Sequence, residues 1–473
     1  MIAVGVFLPL VAGWLFAGRL LPGQGRLVRA ATAFGLAVGA TSVEYFLTLL
    51  ILGRPSRTAS GLFAGAWLVV ACACQVERPA TPAAGPRRTR WIWPAALFVG
   101  WMSLQAGAEV VGWLAASPHG QWDGYAIWNV RARGLYRGGP DWRDAFDASR
   151  PHGDYPLLVP ATVARLWTWN GDEFPLAGGP LGVACLVGIA TLVGAGVGRL
   201  RGPELGCLAV GFLLANPWFV GHAGWQYADA PLSFFLTGAV VVWVLGRNGP
   251  GGLGPVAVVG LFLGFAAWTK NEGLAFAAVF LTAAAVEAAW TWRSLKRDAR
   301  GTPAESSTGP TRSLRHLASL GGGFVIAGAT LLVFKVTVAA ENDLVEGQNR
   351  DTVAKLTDPS RYRAVLSFAW DYFTGQKWFH LLMLPAAVVA LGFGPRPRGV
   401  VVPTAALVGT AAVYFLVYIT TPRDLDWHLG TSFDRLVTHL LPAAYFLLFA
   451  VLRPVNRQSS SVRPASGGGA GAG

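Results

Sequence analysis

The strongest constraint on this chain is a series of long apolar runs that recurs from one end to the other. Each run holds about 16 to 24 residues, and roughly 20 are needed to cross a bilayer as a helix. Only 13% of the 473 residues are charged, about half the share that is usual in soluble domains. The chain is therefore predicted to be an all-α integral membrane protein with about 13 transmembrane helices. The runs lie near residues 2–18, 30–52, 60–76, 92–115, 175–198, 204–220, 230–246, 254–269, 271–290, 319–338, 379–394, 400–420 and 437–452.

The basic residues predict one orientation for the whole bundle. Lys and Arg are concentrated in alternate connecting segments, which is typical of cytoplasmic loops. With Glu204 counted at the edge of one segment, these segments hold 21 of the 38 basic residues but 4 of the 25 acidic ones. The pattern predicts an N-terminus outside and a C-terminus in the cytoplasm, and it explains the net charge of +13 without a nucleic-acid partner. The segments are 19–29, 77–90, 199–203, 247–253, 291–318, 395–399 and the C-terminal tail.

Three regions follow from this layout. Residues 1–77 carry N-terminal extra helices, 78–452 form the main transmembrane region, and 453–473 form a disordered cytoplasmic tail rich in Ser and Gly. The predicted outer face carries six of the seven His residues, and its loops 116–174, 339–378 and 421–436 are expected to hold short interfacial helices. The excess of Arg over Lys, with abundant Ala and Gly, suggests a high-GC bacterial genome, and the expected location is the bacterial plasma membrane. Any chemistry is expected on the outer face, where no ATP is available and a substrate must arrive activated.

The first outer loop combines a carboxylate with several cations near the membrane surface. Asp123 follows the fourth apolar run closely, and Arg131 and Arg133 come within the next ten residues. A carboxylate at this position can deprotonate a hydroxyl while guanidinium groups stabilise a phosphate leaving group. The alternative is a solvated amphipathic helix over 124–137 with local ion pairs.

Three further motifs on the predicted outer face carry candidate site residues. His152 and Asp154, in RPHGDYP, are a second acid/base pair or else residues of a turn. Asp229 begins a span and either binds substrate or caps the helix. Lys270, in WTKNEG, either meets a lipid-linked phosphate or pairs with Glu272 at the surface.

The last outer loop, TPRDLDWHLGTSFDRL, ends with Arg435 where the final span begins. Arg435 can clamp a phosphate or carboxylate, and the alternative is a charged loop. Ionisable residues within spans are functional candidates by default. Four lie within or near the ends of spans: Glu44, Glu109, Glu287 and Lys335.

Taken together, these motifs resemble the membrane-embedded GT-C glycosyltransferases, in particular the bacterial branch similar to protein O-mannosyltransferases and aminoarabinose transferases. The resemblance rests on QWDGYAIWNVRARGLYRGG, HGDYPLL, YADAPLSFF, GLFLGFAAWTKNEG and DLDWHLGTSFDRL, which occur in this order over residues 90–440. It implies a GT-C-like bundle and an inverting transfer of a sugar from a polyprenyl-phosphate donor to a glycan, lipid or protein acceptor.

The resemblance also implies roles for individual residues. Asp123 matches the family's general base, with Asp154 as the rival because Gly124 replaces a second acidic residue. Lys270 matches a phosphate-binding Lys, and Arg131, Arg133 and Arg435 are the other expected phosphate contacts. His152 and Asp229 are expected to be secondary residues of the same site. No cofactor and no required metal are predicted, although a divalent metal is not excluded.

Two other functions fit the same outer face. A lipid-linked oligosaccharide ligase or polymerase needs similar phosphate-binding Arg residues but no Asp at the mouth of the first loop. A transporter or flippase favours inverted repeats and broken helices near the midplane, which the sequence does not reveal clearly.

Overall fold

The computed structural model describes residues 2–74, 90–147, 152–249, 252–298, 308–342, 347–348, 351–375 and 383–455. Within these ranges the regular elements are helices, and the one β-contact is an isolated bridge between Phe393 and Leu452. The prediction of an all-helical membrane protein is confirmed at this level. Residues 456–473 of the predicted disordered tail lie outside the described residues.

The first half of the described chain contains nine α-helices, one π-helix and one 3₁₀-helix. They are α1 (Ile2–Leu20), α2 (Arg26–Leu52), α3 (Arg57–Ala73), α4 (Ile92–Ala116), a π-helix (Gly124–Asn129), α5 (Val130–Arg137), a 3₁₀-helix (Gly139–Phe146), α6 (Leu158–Asn170), α7 (Gly179–Arg201), α8 (Pro203–Leu214) and α9 (Pro217–Gly224).

The second half begins with the most buried span. Its helices are α10 (Asp229–Arg247), α11 (Leu253–Thr269), α12 (Asn271–Asp298), α13 (Thr308–Thr337), α14 (Asp351–Thr357), α15 (Pro359–Thr374), α16 (Met383–Leu391), α17 (Val401–Thr420) and α18 (Leu425–Val451).

Nine of the described helices are long and apolar enough to cross a membrane, and α8 with α9 would make a tenth. The predicted number of about 13 is therefore not confirmed, for identifiable reasons. Helices α3 and α11 are apolar but only 17 residues long. The run 204–220 is bent by 73° between α8 and α9, because Pro217 starts a new helix that Asn216 caps. In the run 379–394 the described part holds only the nine-residue helix α16.

Helix α10 lies at the centre of the bundle and packs against α7, α11 and α18. Its apolar residues are almost all buried, as expected for a helix that is apolar on every side and enclosed by other helices. Helix α11 packs closely against α13, and α12 packs against α17. As a result, the start of α10, the junction of α11 with α12 and the first turns of α18 meet at one end of the bundle, where the charged residues of the loops gather. The GT-C arrangement itself stays a prediction.

Candidate active site

Asp229 is the centre of a charged group that we call the Asp229 cluster, formed by Asp123, Asp229, Lys270, Glu272, Arg435 and His439. The Asp229 side chain is fully buried. Its Oδ1 atom lies 3.0 Å from Lys270 Nζ, 2.6 Å from His439 Nε2 and 3.6 Å from Arg435 Nε. Three nitrogen groups from two parts of the chain therefore converge on one carboxylate oxygen.

The start of α10 explains why Asp229 occupies this place. Asp229 is the first residue of the helix, where the partial positive charge of the helix N-terminus favours a carboxylate. The N-cap residue is Ala228, which has no side chain that could cap the helix. The carboxylate of Asp229 bonds to Lys270 and His439, so its contacts are with neighbouring helices.

Lys270 is the single residue between α11 and α12. Its extended backbone (φ −155°, ψ 159°) reverses the chain, and Gly273 makes the reversal possible. A Cβ atom at Gly273 would lie 2.0 Å from the carbonyl oxygen of Ala266. The expected pair with Glu272 forms at 3.0 Å, but Lys270 is 1% exposed and is shared with Asp229. Lys270 therefore lies inside the bundle, and Glu272 is the partner nearer to the surface.

Asp123 joins the cluster through Arg435, whose Nη2 atom lies 2.6 Å from Asp123 Oδ2. The loop that carries Asp123 packs against the segment between α9 and α10. A Cβ atom at Gly124 would lie 2.6 Å from the carbonyl oxygen of Trp225, so a glycine is needed directly after Asp123. This contact gives a physical reason why a second acidic residue does not follow Asp123.

Tyr227 closes the contact between Asp123 and Arg435. Its hydroxyl accepts a hydrogen bond from the backbone N–H of Asp123 at 3.4 Å, and its ring lies 5.4 Å from the Arg435 guanidinium. Burial, helped by the nearby Asp123 carboxylate, raises the pKa of Tyr227 to about 12. Tyr227 is therefore a neutral phenol over the whole physiological range.

A second polar group adjoins the Asp229 cluster, and we call it the Asp154 group: Asp154, Asn271, Lys335 and Asn342. Asp154 Oδ2 accepts hydrogen bonds from Asn271 Nδ2 and Asn342 Nδ2, both at 2.6 Å. Lys335 Nζ donates to the Asp154 carbonyl at 2.6 Å and to Asn271 Oδ1 at 3.0 Å. Asp154 thus connects the first long loop to the start of α12 and the end of α13.

Tyr155 lies between the two groups. Its ring is 6.0 Å from Lys270 Nζ and 5.9 Å from the Arg131 guanidinium, and it stacks on Trp128 and His152. Arg131 is 2% exposed and donates a hydrogen bond to the His152 carbonyl. Burial lowers the pKa of Arg131 to about 10. Arg131 and His152 therefore support Tyr155, beside the Asp229 cluster.

Arg133 lies elsewhere. Its Nε atom is 3.4 Å from Glu173 Oε2, and Arg137 pairs with the same carboxylate. Residues two apart on a helix face different directions, which separates Arg133 from Arg131. Of the residues predicted from the sequence, the structure brings Asp123, Asp229, Lys270 and Arg435 into direct contact. It places Asp154, His152 and Arg131 in the adjoining layer and Arg133 outside it.

Sequence reasoning missed His439, Tyr155 and Tyr227 as site residues, and it named Lys335 as a candidate without its partner Asp154. His439 follows Arg435 by four residues, so helical spacing alone places both on one face of α18. That signal was available in the sequence. Lys335 contacts Asp154 across 181 positions of the chain, and no local pattern reports such a pairing.

The described residues contain no group of three or more His, Cys, Asp or Glu side chains that could hold a metal ion. The expectation that no metal is required stays a prediction. Comparison of the chain with protein-family models, curated proteins and solved structures finds no match. The geometry of the site is therefore what bears on function.

Proposed function

We propose that this chain is an inverting glycosyltransferase that moves a sugar from a polyprenyl-phosphate donor to an acceptor hydroxyl at the outer surface of the bacterial plasma membrane. The observation that carries the proposal is the contact between Asp123 and Arg435, with Lys270 joined to Arg435 through Asp229. A carboxylate that contacts one cation, with a second cation in the same cluster, suits a reaction that removes one proton and releases one phosphate.

Each group has a role in the proposed transfer. Asp123 accepts the proton of the acceptor hydroxyl as the acceptor oxygen bonds to the anomeric carbon of the sugar. The bond from that carbon to the phosphate oxygen breaks, and polyprenyl phosphate leaves with the bonding electron pair. Arg435 and Lys270 stabilise the charge that develops on the leaving phosphate.

Asp229 and His439 act as positioning residues in this scheme. Both are fully buried, and Asp229 holds Lys270 and Arg435 at a fixed separation. Asp154 is the rival base, but its Oδ2 atom already accepts two amide hydrogen bonds. Asp123 has a partly exposed side chain, which favours it as the base.

Two exposed aromatic residues flank Asp123 and provide a surface for a sugar ring. Trp122 is 68% exposed and Tyr125 is 41% exposed, and their rings meet edge to face at 5.4 Å. Aromatic side chains with an apolar face and a polar tip are well suited to a wet, carbohydrate-binding surface. We assign them to the acceptor or to the donor sugar.

The test is sugar transfer in proteoliposomes from a panel of polyprenyl-phosphate and polyprenyl-pyrophosphate sugars. Asp123→Asn is expected to lower turnover by at least about 100-fold, the usual contribution of a general base. Glu173→Gln is the matched control, because Glu173 is an Arg-paired carboxylate outside the cluster. Melting curves verify that each variant is folded.

Two outcomes would contradict the assignment. Equal turnover by Asp123→Asn would remove Asp123 as the base and direct the same test to Asp154→Asn. Transfer from pyrophosphate-linked oligosaccharides alone would replace the proposal with a ligase or polymerase.

One observation favours a second candidate, a transporter or flippase of lipid-linked sugars. The 73° bend between α8 and α9 is the kind of broken helix that transporters use near the membrane midplane. Sided vesicles distinguish the two functions, since a flippase moves the intact lipid-linked sugar across the membrane and a transferase changes its covalent attachment.

A further inference from the structure

Arg435 is shared between two carboxylates that differ in how firmly they are held. Asp229 is fully buried and also contacts Lys270 and His439. The Asp123 side chain is 13% exposed and lies at the open side of Arg435. Of the two, Asp123 is the carboxylate that can leave Arg435 without disturbing the rest of the cluster.

The charges of the cluster leave no spare cation for a phosphate. Arg435 and Lys270 are surrounded by the carboxylates of Asp123, Asp229 and Glu272. A phosphate that approached with these pairs intact would meet more negative than positive charge. It gains a favourable contact only by replacing a carboxylate on one of the two cations.

Arg435 offers the better position for such an exchange. Its guanidinium group carries several N–H donors in a plane, so it can exchange one oxyanion for another while its Nε side still faces Asp229. Lys270 is a point charge held 1% exposed between Asp229 and Glu272. The exchange is therefore expected at the 2.6 Å contact between Arg435 and Asp123.

We infer that the donor phosphate competes with Asp123 for Arg435, so that donor binding itself frees the general base. This inference rests on the proposed function. Before a donor binds, Arg435 Nη2 occupies Oδ2 of Asp123 at 2.6 Å. When the phosphate takes over Arg435, the free carboxylate accepts the proton of the acceptor hydroxyl, the acceptor oxygen bonds to the anomeric carbon, and polyprenyl phosphate departs with the electron pair.

Competition between the phosphate and Asp123 has a consequence that a general base without such competition would not show. Removing the negative charge of Asp123 abolishes the competition and leaves Arg435 available, so it strengthens donor binding while it stops transfer. We expect Asp123→Asn to bind a long-chain polyprenyl monophosphate, without any sugar, about tenfold more tightly than the wild type, because a competing state no longer lowers the apparent affinity.

The experiment measures equilibrium binding of that lipid phosphate to protein in nanodiscs for the wild type, Asp123→Asn, Asp123→Ala and Glu173→Gln. Glu173→Gln removes one negative charge from another Arg-paired carboxylate and is expected to leave the affinity unchanged. Arg435→Gln is expected to lose binding. Two variants at Asp123 keep the test valid if one of them folds poorly.

The outcomes separate this inference from the proposed function. Unchanged or weaker binding by both Asp123 variants, with normal binding by the wild type, would overturn the competition and leave the transferase proposal in place. The same gain in affinity for Glu173→Gln would show that the effect depends on net charge alone, and it would also overturn the competition. No binding of polyprenyl phosphate by the wild type would remove both proposals.

Discussion

Two regions of the bundle bury opposite charges, and they differ in how completely the charges are enclosed. In the first, Glu44 of α2 lies 3.6 Å from Arg165 of α6, with side chains 4% and 6% exposed. Glu44 Oε1 accepts hydrogen bonds from Thr48 and Ser60 at 2.9 Å, and Arg165 Nη1 donates to the Gly5 carbonyl. The second region is the Asp229 cluster.

The Asp229 cluster has a different set of charges and is accessible from the protein surface. Its Arg435, Asp123 and Glu272 side chains are 17%, 13% and 21% exposed, while Asp229 beneath them is fully buried. The Glu44 pair matches one anion with one cation and encloses both. An ionisable residue in a membrane span is a functional candidate by default. Shared partners and access to the surface distinguish the candidate site from the Glu44 pair.

The largest expected difference is in transfer activity. Arg435→Gln is expected to lower turnover about 100- to 1,000-fold, as removal of one donor to a developing oxyanion does in other enzymes. Arg165→Gln is expected to leave turnover per folded molecule within about threefold, since Arg165 contacts Glu44 and Gly5 and belongs to neither the Asp229 cluster nor the Asp154 group. The panel assay in proteoliposomes measures both. A loss of turnover in Arg165→Gln with an unchanged melting temperature would break the comparison.

The unfolding free energy, unlike turnover, is expected to change strongly in Arg165→Gln. Arg165→Gln leaves the Glu44 carboxylate buried without its cation, which costs about 3 to 5 kcal/mol of unfolding free energy. The double variant Glu44→Leu with Arg165→Met is expected to recover most of this loss, because an apolar pair of similar size needs no desolvation. Thermal unfolding in detergent compares the single and double variants. A double variant as unstable as the single one would show that the Glu44–Arg165 pair contributes more stability than the mutual compensation of two buried charges.

Arg133 provides a smaller test of where the site ends. Its partner Glu173 lies outside the Asp229 cluster, and exposed ion pairs are worth about 0 to 1 kcal/mol. Arg133→Ala is therefore expected to change turnover and polyprenyl-phosphate affinity by less than about threefold. A tenfold loss of affinity would restore Arg133 as a phosphate contact, as the sequence predicted.

The smallest effect is expected at Tyr227. Tyr227→Phe keeps the ring beside Arg435 and removes only the hydroxyl that contacts the Asp123 backbone. Because the pKa of Tyr227 is raised to about 12, its phenol stays protonated at every lower working pH and does not act as a base. Turnover is expected to fall about twofold, with pH profiles that coincide from about pH 6 to pH 10. A profile that changes shape would give the Tyr227 hydroxyl a proton-transfer role.

The sequence predicted which residues form the candidate site better than it predicted the backbone and the residues around them. The runs of apolar residues predict approximate helix ends, although α18 begins at Leu425, before the run at 437–452. Alternating directions predict which ends share a face of the membrane. That reasoning was enough to group Asp123, Asp229, Lys270 and Arg435, although they are up to 312 positions apart in the chain.

Other details depend on backbone geometry that no apolar pattern reports. Residues 124–137 were expected to form one amphipathic helix, and the structure has a π-helix followed by α5. Of its apolar residues, Ile127, Trp128 and Leu135 are buried, and Tyr125 and Val130 are exposed. The polar residue Arg131 is buried in their place. The wider turn changes which side chains face inward, so a single amphipathic helix describes this segment only in part.

The π-helix at Gly124–Asn129 directly follows Asp123, and its wider i→i+5 turn accommodates a residue that an α-helical turn would not hold. Each residue added to or removed from a helix rotates the C-terminal part of that helix by about 100° relative to its N-terminal part. One deletion there would turn Asp123 away from Arg435 or pull Trp128 out of the core, even if every remaining side chain were kept. The length of this segment is thus as much a part of the site as its side chains. Over evolutionary time we expect it to accept amino-acid replacements more readily than single-residue insertions or deletions.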